Sequence, residues 1–363
     1  MSIPSVATTI VIKNCPEKDT ICEFDRPDST FTIKQIPIPE HLPEGTCLVK
    51  TLLLSNDPHQ RLSIQKNQEI GRSYAAPLVP GDIMTSLGIV EIVKSNSKKY
   101  EPGQIVIGLI RWADYAVLSD TADLHQPIKQ PLEYPLEYYL SIFGITGLAA
   151  YFGLVDVGKV SKGSVVVVSA ASGATGSMAV QIAKNILGAG KVIGISGSDS
   201  KCEFVMHELG ADICFNYHDP NWETEFTQYI GTQFIDVFFD CVGGDILNFL
   251  LTKIKKGGRV AVCGSISGFN DKNSGKIGNW NEVITNTITL QGFLVFDYQD
   301  RFLEGATVLV EAVKAGKLKT DAAFHVKTCV GNDITEKIKQ IPKIWKLLFT
   351  DYKPNGKLIT RIV

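Results

Sequence analysis

The sequence lacks the features expected of a metal, membrane or nucleic-acid protein. Its six histidines show no metal-ligand spacing, and its eight cysteines never occur as C-x-x-C, so no zinc site is expected. No run of about 18 apolar residues is present, which argues against a membrane span. The formal net charge is −2, without a basic stripe, which argues against nucleic acid as a partner.

The sequence also lacks the features of a secreted protein. The first residues show no charged segment followed by an apolar one, as a signal peptide requires. The scattered cysteines do not suggest a disulfide framework and are expected to be small buried hydrophobes. A cytoplasmic protein is the resulting expectation.

What the 363 residues do contain is enough apolar material, 44%, for two globular domains. The part before about Pro135 is β-rich and punctuated by proline and glycine, whereas from Tyr138 onward strands and helices alternate. Such alternation predicts a doubly wound parallel sheet. We therefore predict an α/β protein in which residues 136–307 form a nucleotide-binding domain, inserted into a β-rich domain made by residues 1–135 and 308–363.

A glycine turn follows four consecutive valines, Val165–Val168, and precedes a helix with an apolar side. Valines apolar on both faces are typical of a central parallel strand. The turn has the pattern of the first βα turn of a Rossmann fold, with Ala171 in place of the first glycine of G-x-G-x-x-G. An ordinary βα turn is the alternative, which the flanking strand and helix disfavour. The residues expected to contact a dinucleotide are Ser172, Gly173, Ala174, Thr175 and Gly176.

The end of the next strand bears on cofactor selectivity. An NAD-selective site places Asp or Glu about 20 residues after the turn, for the ribose 2′-hydroxyl. Ser196 occupies that place, carries no charge and is followed by Lys201. This pattern predicts NADP(H). The alternative is that Asp199 turns inward and restores NAD binding.

Several short segments occur along the chain in an informative order and spacing. They are Ser55–Arg61, Gly147–Tyr151, the glycine turn, Ser196–Lys201, Phe215–Tyr217, Phe239–Gly244, Val262–Ser267, Gln291–Val295 and Asn355–Ile359. In this order they resemble the zinc-free branch of the medium-chain dehydrogenase/reductase superfamily, the NADP-dependent alkenal/enone double-bond reductases that include prostaglandin and leukotriene reductases. The resemblance implies that the β-rich domain is GroES-like and holds the substrate.

The resemblance also implies a set of cofactor contacts. Lys201 and Tyr217 match residues that bind the adenosine 2′-phosphate, Asn355 matches a cofactor-contacting asparagine, and Phe293 and Val295 match the strand beside the nicotinamide. Each residue also has a purely structural alternative. Lys201 would be a solvated lysine, Tyr217 a half-buried ring and Asn355 a turn residue. Phe293 and Val295 would be ordinary strand core. The remaining implied contacts are Asn56, Thr146, Gly147, Gly197, Cys241, Val242, Cys263, Gly264 and Ile266.

The chemistry implied is the reduction of a conjugated C=C bond in α,β-unsaturated aldehydes or ketones, with hydride transferred to the β-carbon. Zinc-dependent relatives carry Gly-His-Glu where this chain has Gly81-Asp82-Ile83 and the residues that follow, up to Val90, with no His-Glu and no Cys. We therefore expect no catalytic metal, which weakens an alcohol dehydrogenase assignment. A quinone or carbonyl reductase, or a cofactor-binding redox sensor with little turnover, remains as an alternative.

The proton donor is where the chain departs from the pattern. Many relatives line the site with tyrosines, but here His59, Leu87 and Phe269 occupy the comparable positions. His59 is one candidate acid for the enolate. Solvent or a cofactor ribose hydroxyl is another, and a loop histidine packed beside Pro58 is the structural alternative.

Two further expectations complete the sequence-based prediction. Tyr74 is a candidate residue of the substrate pocket. The predicted strand 289–295 is expected to lie at a sheet edge and to pair with a second copy, giving a homodimer.

Overall fold

The computed structural model describes residues 3–66, 77–129, 132–269 and 276–362. The strands of this part are β1 (Val6–Ile12), β2 (Phe31–Pro37), β3 (Thr46–Ser55), β4 (Thr85–Ser95), β5 (Ile105–Arg111), β6 (Tyr115–Ser119), β7 (Leu124–Pro127), β8 (Val165–Ser169), β9 (Lys191–Ser196), β10 (Ile213–Asn216), β11 (Ile235–Asp240), β12 (Ile254–Val262), β13 (Thr289–Gly292), β14 (Phe324–Thr328) and β15 (Lys357–Arg361).

The α-helices described are α1 (Gln60–Ser63), α2 (Leu136–Leu140), α3 (Ile145–Phe152), α4 (Ala174–Gln181), α5 (Asp199–His207), α6 (Trp222–Ile230), α7 (Gly244–Leu251), α8 (Asn281–Thr285), α9 (Phe302–Lys314), α10 (Ile334–Ile338) and α11 (Gln340–Lys346). Both α3 and α4 continue as π-helical turns, Gly153–Val157 and Ile182–Ile186. Short 3₁₀ segments are Ile266–Gly268, Val295–Arg301 and Leu347–Phe349.

The first compact unit comprises residues 1–140, 326–354 and 358–363. Its main sheet has the order β14-β15-β3-β4-β5-β7, β6 also pairs with β3, and β1 and β2 form a separate antiparallel pair. Three buried aromatic rings, Phe31, Trp112 and Trp345, lie 5.6–6.3 Å apart in its core. This is the β-rich unit that the proline and glycine punctuation predicts.

The second compact unit comprises residues 141–325 and 355–357. Its six strands pair in parallel in the order β10-β9-β8-β11-β12-β13. Counted from β8, this is the order 3-2-1-4-5-6 of a doubly wound dinucleotide-binding sheet. Val166, Val167 and Val168 are fully buried at its centre. The predicted α/β fold class is confirmed.

The apolar pattern of residues 138–152 predicts a single helix that ends before Gly153. The structure has two helices there, α2 and α3, so this prediction is wrong in detail. Between α2 and α3 the chain folds back, and Ser141 O accepts hydrogen bonds from Thr146 Oγ1 at 3.0 Å and Gly147 N at 3.2 Å. A Cβ at Gly147 would lie 1.8 Å from Ile142 O. The tight reversal therefore requires glycine there and interrupts the helix.

The second predicted boundary, after residue 307, falls inside helix α9. Leu309 and Ala312 on this helix are buried, and a Cβ at Gly305 would lie 2.8 Å from Leu148 of α3. The helix packs within the second unit, which continues to His325. The first predicted boundary, after residue 135, lies five residues before the end of the first unit's opening segment at Leu140.

No helix within the described ranges is both long and apolar enough to cross a bilayer.

Candidate cofactor site

The glycine turn joins β8 to α4 at the carboxyl edge of the sheet, beside the point where strand order reverses. Ala170 has a φ of +49°, an uncommon value for a residue with a Cβ, and Gly173 N donates to Ala170 O at 2.8 Å. A Cβ at Gly176 would lie 2.2 Å from Ala170 O. Only glycine allows residue 176 to come this close to Ala170 O. The first N–H groups of α4 therefore point toward the turn and form an anion-binding site, here called the anion cradle.

A second segment meets the turn from far along the sequence. Gly356 N donates to Ser172 O at 2.8 Å, and Gly356 forms a β-bridge with Gly173. The neighbouring Asn355 Oδ1 is buried and has no hydrogen-bond partner among the described residues. A buried acceptor needs a hydrogen-bond donor, and the amide and hydroxyl groups of a dinucleotide bound at the turn would supply one to Asn355 Oδ1.

The end of β9 lies next to the same turn. Ser196 is buried, and its Oγ accepts from Ser172 N at 3.3 Å. Tyr217 N donates to Ser196 O at 3.0 Å, and the Tyr217 hydroxyl lies so close to Gly197 that a Cβ there would be 2.9 Å away. A hydroxyl-bearing ring therefore lies over an uncharged strand end.

Lys201 is placed in the first turn of α5, where its N–H donates to the Ser198 N-cap Oγ at 3.3 Å. Asp199, the residue that would restore NAD selectivity, accepts from Asn216 Nδ2 at 2.8 Å and is exposed. Its carboxylate is thus engaged by the end of β10. The surroundings of Ser196 fit a 2′-phosphate better than a free 2′-hydroxyl.

A buried carboxylate, which the sequence reasoning missed, organises the neighbouring strand end. Asp240 at the end of β11 is fully buried and accepts from Ser169 Oγ at 2.8 Å, Val242 N at 2.9 Å and Gly243 N at 3.0 Å. Ser169 Oγ in turn accepts from Cys241 N at 2.8 Å. This network joins the ends of β8 and β11. Its sequence signal was a serine and an aspartate, each closing an apolar strand.

The next strand end carries Cys263 and Gly264, whose N–H groups donate to Asp240 O at 2.8 Å and 3.1 Å. Ile266 follows in a 3₁₀ turn, with its N–H 3.4 Å from Cys241 O. A cavity of about 390 Å³ is lined here by Val262, Cys263, Gly264, Phe293 and Leu294, among others. Cys241, Val242, Cys263 and Gly264 thus lie together at one edge of the sheet.

Phe293 and Val295 are not on a strand, which corrects the sequence-based placement. Strand β13 ends at Gly292, and Val295 begins a 3₁₀ segment in which Asp297 N donates to Leu294 O at 3.0 Å and Asp297 Oδ2 accepts from Leu294 N at 3.3 Å. This capping ends the extended conformation. The Phe293 ring packs against Gly153, where a Cβ would lie 2.5 Å from it.

The other predicted site residues are distributed as follows. Asn56 and His59 belong to the first unit. Asn56 is buried, and its Nδ2 donates to Thr360 Oγ1 at 2.9 Å, while half-buried His59 precedes α1. Half-buried Phe269 ends the 3₁₀ turn 266–268 of the second unit. Tyr74 lies outside the described residues.

Among residues 3–66, 77–129, 132–269 and 276–362, no group of three or more His, Cys, Asp or Glu side chains is placed to hold a metal ion. The absence of a catalytic metal stays a prediction.

Comparison with known proteins supplies the class. Residues 174–312 match the family model of zinc-binding dehydrogenases, and residues 24–126 match that of an N-terminal domain of oxidoreductases. The NADP⁺-dependent 2-alkenal reductase of Nicotiana tabacum is 35% identical over 293 residues, covering 80% of this chain and 83% of that protein. Prostaglandin reductase 1 of Mus musculus is 33% identical over 294 residues, covering 80% and 85%.

A solved structure agrees with these relatives. The NADPH complex of CurA from Vibrio vulnificus has a TM-score of 0.84 and 27% identity, covering 98% of this chain and 99% of that chain. Fold, cradle and relatives together define a dinucleotide-dependent oxidoreductase. The chain belongs to the medium-chain dehydrogenase/reductase superfamily, in the branch that contains NADP-dependent alkenal and prostaglandin reductases.

The Asp240 network yields a test of stability. Burial raises the pKa of the Asp240 carboxyl above its ordinary value, although its hydrogen bonds oppose the shift. Since the folded state then holds the proton more tightly than the unfolded state, the carboxyl's contribution to stability falls as the pH rises from the ordinary aspartate pKa to the raised one. Asp240→Asn keeps the Oδ1 acceptor and removes this titration.

The free energy of unfolding of Asp240→Asn relative to wild type should therefore rise across that window and level off above it. Urea unfolding between about pH 4 and about pH 8 measures the difference. Asp321→Asn, which removes an exposed aspartate of the second unit, is the matched control. A pH-independent difference for Asp240→Asn contradicts the assignment.

Proposed function

We propose that this protein reduces the conjugated C=C bond of α,β-unsaturated aldehydes and ketones, using NADPH. It is an oxidoreductase, and its cofactor is NADP(H). The proposal rests on the end of β9, which is uncharged, is covered by Tyr217 and has Lys201 beside it. It rests equally on the 35% identity of the chain to a 2-alkenal reductase. The preference for C=C over other acceptors is the finer part of the proposal.

The cofactor residues act by binding and orientation. When bound, NADPH supplies the hydride. We assign the pyrophosphate to Ser172–Gly176 and the N-terminus of α4, where backbone N–H groups meet the negative charge. Asn355 Oδ1 accepts from the cofactor, and Lys201 with Tyr217 holds the 2′-phosphate by a point charge and a hydroxyl.

The reacting end of the cofactor is assigned to the edge formed by Cys241–Gly243 and Cys263–Ile266. The Asp240 network fixes these backbone segments, which would orient the nicotinamide end of the cofactor when it binds there. Phe269 adds an apolar surface in place of the tyrosine of many relatives. An apolar or aryl substituent on the enone is the class of substrate this favours.

A panel assay tests the function. NADPH oxidation is followed with an alkenal, an aryl enone, a quinone and a saturated ketone, and the products are identified by mass spectrometry. We expect turnover of the enones to saturated carbonyl products, with no turnover of the saturated ketone. Allylic alcohol or quinol as the main product supports the carbonyl or quinone reductase instead, and tight NADPH binding without turnover supports a redox sensor.

The proton donor is tested at His59. If His59 protonates the developing enolate, His59→Ala should lower kcat for enone reduction by about 10²-fold or more, while the Kd of NADPH stays unchanged. It should also remove the histidine-range limb of the kcat pH profile. His41→Ala, at another histidine of the first unit, is the control. An unchanged kcat and pH profile assigns the proton to solvent or to the cofactor ribose hydroxyl.

A homodimer is the proposed assembly. Strand β13 lies at the edge of the six-stranded sheet, and Phe296, exposed to 39%, follows it. Unpaired edge strands with apolar neighbours favour pairing with a second copy. Sedimentation equilibrium should give twice the 39.7 kDa chain mass, and Phe296→Glu should give the monomer. Val330→Glu, exposed in the first unit, should stay dimeric, and a monomeric wild type overturns the proposal.

A cytoplasmic location is the accompanying proposal. The eight cysteines are scattered along the chain without a C-x-x-C motif, as expected of a protein from a reducing compartment. Fluorescence microscopy of the tagged full chain checks it, and a membrane or organelle pattern contradicts it.

A further inference from the structure

The Phe293 ring lines the cavity at the edge to which we assign the reacting end of the cofactor. That cavity of about 390 Å³ is also lined by Cys263 and Gly264, which follow β12. The pairing of β13 with β12 ends at Gly292, so residue 293 lies just outside the sheet. The position of the half-buried Phe293 ring therefore depends on what the ring packs against.

One contact of the ring is with helix α3, at the residue where α3 changes to its π-helical turn. A Cβ at this residue, Gly153, would lie 2.5 Å from Phe293 Cζ and 2.5 Å from Phe239 Cε2. The centroids of these two rings are 6.4 Å apart. The φ of Gly153 is −63°, an ordinary helical value that any residue adopts. Glycine is thus required at this position by the two rings and not by the backbone.

A second contact of the ring is with Tyr298, in the 3₁₀ segment that follows. The centroids of the Phe293 and Tyr298 rings are 6.4 Å apart and their planes are 77° apart. Tyr298 also stacks on Phe152 of α3, with centroids 4.7 Å apart and planes 9° apart. Aromatic pairs favour both the edge-on and the stacked arrangement. Because Phe152 is fully buried, it gives Tyr298 a support that cannot move easily.

The 3₁₀ segment is also tied to two helices by Arg301. The guanidinium carbon lies 5.1 Å from the Phe152 ring centroid, and Nη1 donates to Asp156 Oδ1 at 2.9 Å. Nε and Nη2 each donate to one Glu304 oxygen at 2.8 Å. Asp156 belongs to the π-helical turn after α3, and Glu304 belongs to α9. A bidentate arginine–carboxylate pair restricts geometry, so the segment that carries Tyr298 is held against α3.

We propose that Gly153 and Tyr298 are positioning residues for the nicotinamide end of NADPH, and that both act through the Phe293 ring. Gly153 leaves the space that the ring occupies, and Tyr298 keeps the ring in that space. The proposal rests on the assignment of the reacting end of the cofactor to the segments after β11 and β12. It does not depend on which substrate is reduced.

Two substitutions should displace the same ring by opposite means. Tyr298→Ala removes the support of Phe293, which leaves the ring loose beside the cavity. Gly153→Ala adds a methyl group where no room exists. Since Phe239 is fully buried and Phe293 is only half-buried, Phe293 is the ring that must give way. Either change should weaken the binding of the nicotinamide and leave the 2′-phosphate site intact.

The test compares two ligands of the full chain by isothermal titration calorimetry. One is NADPH, and the other is adenosine 2′,5′-bisphosphate, which carries the 2′-phosphate but has no nicotinamide. For Tyr298→Ala we expect the Kd of NADPH to rise about threefold to tenfold, the size of an aromatic contact, while the Kd of adenosine 2′,5′-bisphosphate is unchanged.

Two further variants serve as controls. Tyr298→Phe keeps the ring and should restore the wild-type Kd of NADPH. Tyr229→Ala removes another half-buried tyrosine of the second unit, one whose ring contacts Phe215. It should leave the ratio of the two Kd values unchanged.

Gly153→Ala carries the same test independently. Its helical φ suits alanine, so it keeps the proposal testable if Tyr298→Ala does not fold. We expect the Kd of NADPH to rise and the Kd of adenosine 2′,5′-bisphosphate to stay constant, as for Tyr298→Ala.

Three outcomes overturn the proposal. An equal rise of both Kd values shows that the residues only stabilise the fold. An unchanged Kd of NADPH in both variants shows that the Phe293 ring does not position the nicotinamide. A Tyr298→Phe protein that behaves like Tyr298→Ala shows that the ring contact is not what matters. Binding is measured without substrate, so a failed enone assay leaves these Kd values valid, and a failure here leaves the enone assay unaffected.

Discussion

The site depends on one buried carboxylate. Asp240 closes β11 and binds the end of β8 through Ser169, while its backbone carbonyl accepts from the segment that follows β12. Three strand ends of a parallel sheet are thereby held in one arrangement. Every backbone segment assigned to the reacting end of the cofactor follows one of these ends. Burying the Asp240 carboxylate costs free energy. Its hydrogen bonds offset that cost only while residues 240–243 keep this conformation.

Parallel sheets place all such ends on one side, which is why so much of the site was accessible from the sequence. The valine strand, the glycine turn and Ser196 each have a local signal, and the structure places them in contact. The doubly wound parallel sheet follows from the alternation of strands and helices, and the β-rich unit follows from the proline and glycine residues between its strands. These features depend on local periodicity, which a sequence carries directly.

What the sequence did not reveal depends on contacts between distant residues. The break before α3 is set by Gly147 against Ile142 O, and the end of β13 by capping from Asp297, which local apolar patterns do not show. Asp240 looked like an ordinary strand-ending aspartate, because its hydrogen bond from Ser169 depends on the pairing of β8 with β11. The division after residue 307 failed because the amphipathic pattern of α9 does not indicate which unit it packs against.

The contact of Asn355 and Gly356 with the turn at Ser172–Gly173 also bears on folding during synthesis. The turn is synthesised first, and its partner segment is made more than 180 residues later. Domains generally begin to fold as they are synthesised. The Rossmann sheet can therefore be complete while its cofactor cradle still lacks one side. A nucleotide that bound before residues 355 and 356 were made would lack the contact that we propose for Asn355.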